Sequence, residues 1–147
     1  MTSTEHLLIE QARKLLRAAV RKGKQLTSPD DVRDFLLFTL ALRENEVFGV
    51  VLLDNQNRVQ VWRELFQGSV NETPIYPREV VKLALQHNAA AIILVHNHPS
   101  GSTEVSAQDR HITQRLQQAL ELIDVRVLDH FIVAGDCTVS MAERGQL

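Results

Sequence analysis

The sequence predicts an α/β fold: a mixed sheet with helices on both faces, three layers deep (α/β/α), preceded by an N-terminal accessory helix. Two observations lead there. Residues 89–95 are apolar at every position, a pattern expected only of a strand covered on both faces, and so of a sheet with helices on either side. Around that run, segments with apolar residues at helical spacing alternate with hairpin-like strand pairs, so parallel and antiparallel neighbours must share one sheet.

The elements follow in order. From Thr4 to about Lys22 the residues Leu8, Ala12, Leu15, Leu16 and Ala19 keep helical spacing, with Thr4 as cap and Gly23 as stop. The polar connector 23–27 makes this helix an extension, residues 1–27, ahead of a domain spanning 28–147. Ser28-Pro29-Asp30-Asp31 supplies a cap, a first-turn proline and two acids for a second helix that carries Val32, Phe35, Leu36 and Leu40. Residues 46–54 form a strand, Asn55-Gln56-Asn57 a turn, and 58–63 the alternating partner strand. Residues 67–77 read as a loop, Pro77-Arg78-Glu79 opens a third helix, and 89–95 is the covered strand. A fourth helix spans Ser106 to Glu121, and two strands, 125–133 and 137–141, close the chain around a turn at Ala134-Gly135-Asp136.

Composition narrows the function classes. Within 147 residues there is room for one domain and an appendage, and 16 Lys and Arg against 18 Asp and Glu give no general attraction to nucleic acid or anionic membrane. A single cysteine, Cys137, rules out an internal disulfide and a multi-thiolate metal cage, and reads as a small buried residue. The N-terminus lacks a signal-peptide layout and no apolar run approaches a membrane span, so a soluble, cytoplasmic protein is expected.

Chemistry concentrates in residues 95–109. His96 and His98, two residues apart at the end of a strand, project to the same side and can present two imidazoles to one point. A turn through Pro99-Ser100-Gly101 then brings Asp109, in the first turn of the next helix, within reach of that strand end. Two histidines and a carboxylate make the ligand set of a catalytic zinc ion, with a fourth position left for water. The same residues admit plainer readings. His-x-His also fits one exposed and one core histidine, and Ser106-x-x-Asp109 is also a capping box.

His96-x-His98-x7-Ser106-x2-Asp109 matches the motif of the JAMM (JAB/MPN) zinc metallopeptidases, and residues 77–79, 95–101 and 127–130 resemble its bacterial RadC branch, from about residue 30 to the C-terminus. The resemblance implies a JAB/MPN, cytidine-deaminase-like fold. It also implies a Zn2+ ion on His96, His98 and Asp109, and Ser106 steadying an oxyanion. A glutamate from the first strand acts as general base in the family: Glu46, in Glu46-Val47-Phe48-Gly49, with Glu44, which shares its strand parity, as the alternative. The implied activity is hydrolysis of a peptide or isopeptide bond in a protein or peptide substrate by metal-activated water. Longer RadC proteins carry a helix-hairpin-helix domain ahead of this part, and the sequence resembles the short form without it. His130 reads either as a partner orienting a ligand or as a structural histidine, while His111 is expected to face solvent. Trp62 and Phe66 read as core, or as flanking a substrate groove.

Rival classes lack their residues. A nucleobase deaminase needs His-x-Glu and Cys-x-x-Cys, and neither occurs. A DNA-repair-associated role as a nucleic-acid-binding accessory protein, the second reading, would use the basic cluster Arg13, Lys14, Arg17, Arg21, Lys22 and Lys24. Such a run is also a common solvated helix face.

Overall fold

The computed structural model describes residues 1–17, 22–68 and 75–147. Helix α1 is Ser3–Arg17, α2 Asp30–Leu40, α3 Pro77–Gln86 and α4 Ala107–Glu121; strands are β1 Val47–Leu53, β2 Val59–Gln67, β3 Ala91–His98, β4 Arg126–Ala134 and β5 Cys137–Ser140. The strands form one sheet in the order β2-β1-β3-β4-β5, antiparallel except where β3 runs parallel to β4.

Alternation along β1 and β3 sends side chains to two separate cores. Val47, Val51, Leu53, Ile93 and Val95 meet Val32, Phe35, Leu36 and Leu40 of α2 on one face. Phe48, Val50, Leu52, Ile92 and Leu94 meet Val80, Leu83 and Ala84 of α3 and Ile112, Leu116 and Leu120 of α4 on the other. Each such fully buried aliphatic side chain stabilises the fold by roughly 1.5–3 kcal/mol. The three-layer expectation is met, and no helix among the described residues is long and apolar enough to cross a membrane.

Several local expectations are corrected. Helix α1 starts earlier than Thr4, because Thr2 forms the cap: Thr2 Oγ1 accepts from Glu5 N at 3.1 Å and Glu5 Oε2 accepts from Thr2 N at 2.6 Å. Leu8 and Leu15 of its predicted apolar face are 59% and 76% exposed. Residues 18–21, with Ala19, and the Leu16 side chain lie outside the described residues. Pro29, not Ser28, occupies the N-cap of α2 with no side-chain bond, and Asp31 Oδ2 instead accepts from Thr27 N and Ser28 N. The carboxylate of Asp31 is held below its usual range, mainly by those backbone bonds.

The connector does more than link. Gly23 N donates to Val59 O, Val59 N to Lys24 O and Leu26 N to Asn57 O, each at 2.8 Å, and Leu26 is buried in the α2-side core. Cys137, read as buried, is exposed, because β5 begins directly after the β4–β5 turn. Of the loop expected over 67–77, residues 69–74 lie outside the described residues.

Trp62 and Phe66 are both half-buried, and a register shift between Phe48 and Gly49 in the β1–β2 ladder places them on different cores. Trp62 packs edge-on against Phe35 at 6.1 Å, and Phe66 lies tilted against Phe48 at 6.3 Å.

Candidate metal centre

Strand β3 runs three residues beyond the apolar stretch that announces it, through His98, because β4 pairs with it out to His98 opposite Ala134. That extension places His96 and His98 on the face covered by α4. Their rings lie 5.3 Å apart and at right angles. Helix α4 starts just after the turn, where Gly101 has φ +81, a conformation that favours glycine. Ser106 caps the helix in a complete capping box with Asp109 as its third residue.

Asp109 is fully buried, and its carboxylate accepts four hydrogen bonds. Oδ1 takes one from His96 Nδ1 at 2.8 Å. Oδ2 takes three: from His98 Nε2 at 2.9 Å, Ser106 Oγ at 2.8 Å and Ser106 N at 3.0 Å. Burial alone would raise its pKa, but the bonds from His96, His98 and Ser106 overcome that and hold the carboxyl far below the usual carboxylate range. The capping-box reading of Ser106-x-x-Asp109 holds, and the carboxylate that closes the helix cap also faces both imidazoles.

His98 is oriented from its far side, since Nδ1 donates to Ser102 O at 3.0 Å and leaves Nε2 turned to the cluster. The bond from Nε2 to Asp109 is the main reason its pKa is raised. His96 is 2% exposed and stands between two carboxylates, with Nε2 3.2 Å from Glu46 Oε2.

Glu46 immediately precedes β1, and its side chain is 28% exposed, so it borders both the cluster and solvent. Glu44, the alternative to Glu46, sits in an exposed bend outside β1.

His96, His98 and Asp109 each offer a ligand atom within 4.8 Å of the others, so this group can hold a metal ion. The donors also suit one chemically: two imidazoles and a buried carboxylate already ionised at neutral pH, the imidazoles' protons being what an ion would displace.

His130 lies under α4. It is wholly buried, which pushes its pKa down to about 3, and its ring stands edge-on to Phe48 at 5.9 Å. Thr113 Oγ1 donates to Asp109 O at 2.6 Å, so the 2.6 Å contact between His130 Nδ1 and Thr113 Oγ1 has the imidazole as donor. His130 Nε2 has no partner among the described residues. His130 therefore touches the turn that carries Asp109 through Thr113, not a candidate ligand directly. His111 is exposed, as expected.

Of the basic cluster, Arg13 pairs with Glu10 at 2.7 Å and reaches Phe38 O at 3.4 Å, and Arg21 lies outside the described residues.

Sequence reasoning missed Thr113 and Asn97. Asn97 Oδ1 accepts from Val47 N at 2.6 Å and its Nδ2 donates to Asn45 O at 3.1 Å. Neither residue stands at a motif position. The only signal was a polar residue inside an otherwise apolar face.

Residues 26–146 match the family described as RadC-like JAB domain. A UPF0758 protein of Thiobacillus denitrificans is 53% identical over 140 residues, covering 95% of this chain and 62% of that protein. One from Cellvibrio japonicus shows the same identity and coverage. A UPF0758 protein of Vibrio cholerae serotype O1 is 50% identical over 143 residues, covering 97% of this chain and 90% of that protein. The chain spans about three fifths of the length of the first two, 62%.

Proposed function

The chain belongs to the RadC-like JAB domain family, and from that premise we propose that it is a zinc-dependent hydrolase of the metallopeptidase type, cleaving a peptide or isopeptide bond in a protein or peptide substrate. The observation that carries this reading is the convergence of His96, His98 and Asp109 within 4.8 Å, with Glu46 Oε2 3.2 Å from His96 Nε2. His96, His98 and Asp109 would hold the ion. Zinc bound there supplies Lewis-acid chemistry, lowering the pKa of water to about 7 and polarising a carbonyl.

The chain's own residues do the rest. The Glu46 carboxylate, partly open to solvent, takes the proton of the attacking water and returns it to the leaving amine. The Ser106 hydroxyl, which donates to Asp109 Oδ2, can turn its proton to a developing oxyanion. The Ser102 carbonyl keeps His98 in the tautomer that leaves Nε2 available.

The test is zinc quantification on purified protein followed by cleavage of a peptide library with and without chelator. Stoichiometric zinc and chelator-sensitive cleavage support the reading. Protein that takes up no zinc, or cleavage indifferent to chelator, would overturn it.

A further inference from the structure

Between the two histidines of β3 sits a residue with no place in the ligand set. Asn97 is 1% exposed, and by strand alternation it points away from the face that His96 and His98 share. The regular ladder between β1 and β3 extends only to Phe48 opposite His96. At the next position the Asn97 side chain takes over, its Oδ1 accepting from Val47 N and its Nδ2 donating to Asn45 O. These two backbone groups flank Glu46. A primary amide presents a donor and an acceptor side by side, which is what two backbone groups of opposite polarity require. On its other side the backbone of Glu46 is tied to the end of β2, where Gly68 N donates to Glu46 O at 2.8 Å.

We propose that Asn97 is a positioning residue that sets the Glu46 carboxylate against the His96–His98–Asp109 group by clamping Asn45 and Val47. The inference rests on Glu46 being the proton-transfer group. Asn97 touches neither substrate nor metal; it fixes where β1 begins. The clamp ties residues 45–47 to β3, whereas Gly68 N to Glu46 O and the Arg43–Glu64 ion pair tie this segment only toward β2; a displacement of about 1 Å can cost 10²-fold in rate.

The test compares the full chain with Asn97→Leu, Asn97→Ser and Glu46→Gln, using Co2+ alone as the probe. Visible-absorption titration gives Co2+ affinity, and the cobalt bands followed against pH report the carboxylate beside the ion. The inference expects both Asn97 variants to bind Co2+ with less than the roughly tenfold loss that follows removal of a ligand's own partner. It expects their pH profile to shift in the direction of Glu46→Gln. On any peptide the wild type cleaves, kcat should fall by about 10²-fold with KM nearly unchanged.

Should the leucine variant fail to fold, the serine variant decides, because water can then reach Val47 N and Asn45 O. In the wild type, nuclear magnetic resonance should show a slowly exchanging Val47 amide close to the Asn97 side chain, and its absence would overturn the proposal. A wild-type cobalt profile in the Asn97 variants, even with a lowered Tm, would show a merely structural residue and end the inference alone. A wild-type profile in Glu46→Gln would remove the proton-transfer reading and this inference together.

Discussion

Asp109 joins the helix cap of α4 to both imidazoles, and substitutions there and at Glu46 should separate holding a metal from using it. Asp109→Asn keeps the size of the side chain but loses the charge that two imidazoles share. It should abolish zinc uptake in elemental analysis. Glu46→Gln should keep the zinc and lose chelator-sensitive turnover, and full turnover would remove Glu46 from the chemistry. Two histidines near the site, His98 on the Asp109 carboxylate and His130 on Thr113, behave oppositely with pH in protein stripped of metal. The pKa of His98 is raised by its bond to Asp109, so its contribution to stability is complete below about 6.5 and is lost as pH rises through the raised value. The pKa of His130 is depressed by burial, so its contribution is complete above about 6.5 and is lost as pH falls toward about 3. Thermal melts of chelated protein should therefore weaken on both sides of about pH 6.5, and His130→Phe should flatten the acid side selectively. An unchanged acid limb in that variant would contradict the assignment of a buried neutral imidazole.

At the scale of the element, β1 is placed by contacts that leave no spare room. A Cβ on Gly49 would lie 2.5 Å from Trp62 Cη2 and 2.9 Å from Arg63 O, and the second of these is backbone. Gly49→Ala should cost about 1–3 kcal/mol in urea unfolding. An unchanged midpoint would show that β1 and β2 part freely. This close approach gives a physical reason for the glycine three residues after Glu46, which sequence reasoning reached only through resemblance. The elements most legible in the sequence were those with an unbroken period. The apolar run 89–95 announced a covered strand, and Ser106-x-x-Asp109 announced the start of α4. The extension of β3 through His98 was harder to read, because its pairing with β4 is a long-range matter that local pattern does not encode. The same holds for Leu8 and Leu15, whose helical spacing is real but whose exposure is set by what α1 packs against. Asn97 and Thr113 were illegible for a related reason: each acts on the backbone of a segment distant in sequence or folded back on itself.

Across the whole molecule, the candidate site joins elements the chain brings together only on folding: β3, the start of α4 and the entry to β1. An ion bound there would tie these parts together, and ligand linkage then predicts a stability gain. Zinc at 100 times its Kd should stabilise the fold by about 2.7 kcal/mol and raise Tm by several degrees, an effect absent in Asp109→Asn. The most direct measurement is zinc-edge X-ray absorption on the purified, zinc-loaded chain. It should show a low-coordinate ion with imidazole nitrogen and carboxylate or water oxygen at about 2.0–2.2 Å and no sulfur at about 2.3 Å. A sulfur shell, a spectrum without imidazole scattering, or the same spectrum from Asp109→Asn would contradict the assignment of His96, His98 and Asp109 to one metal ion.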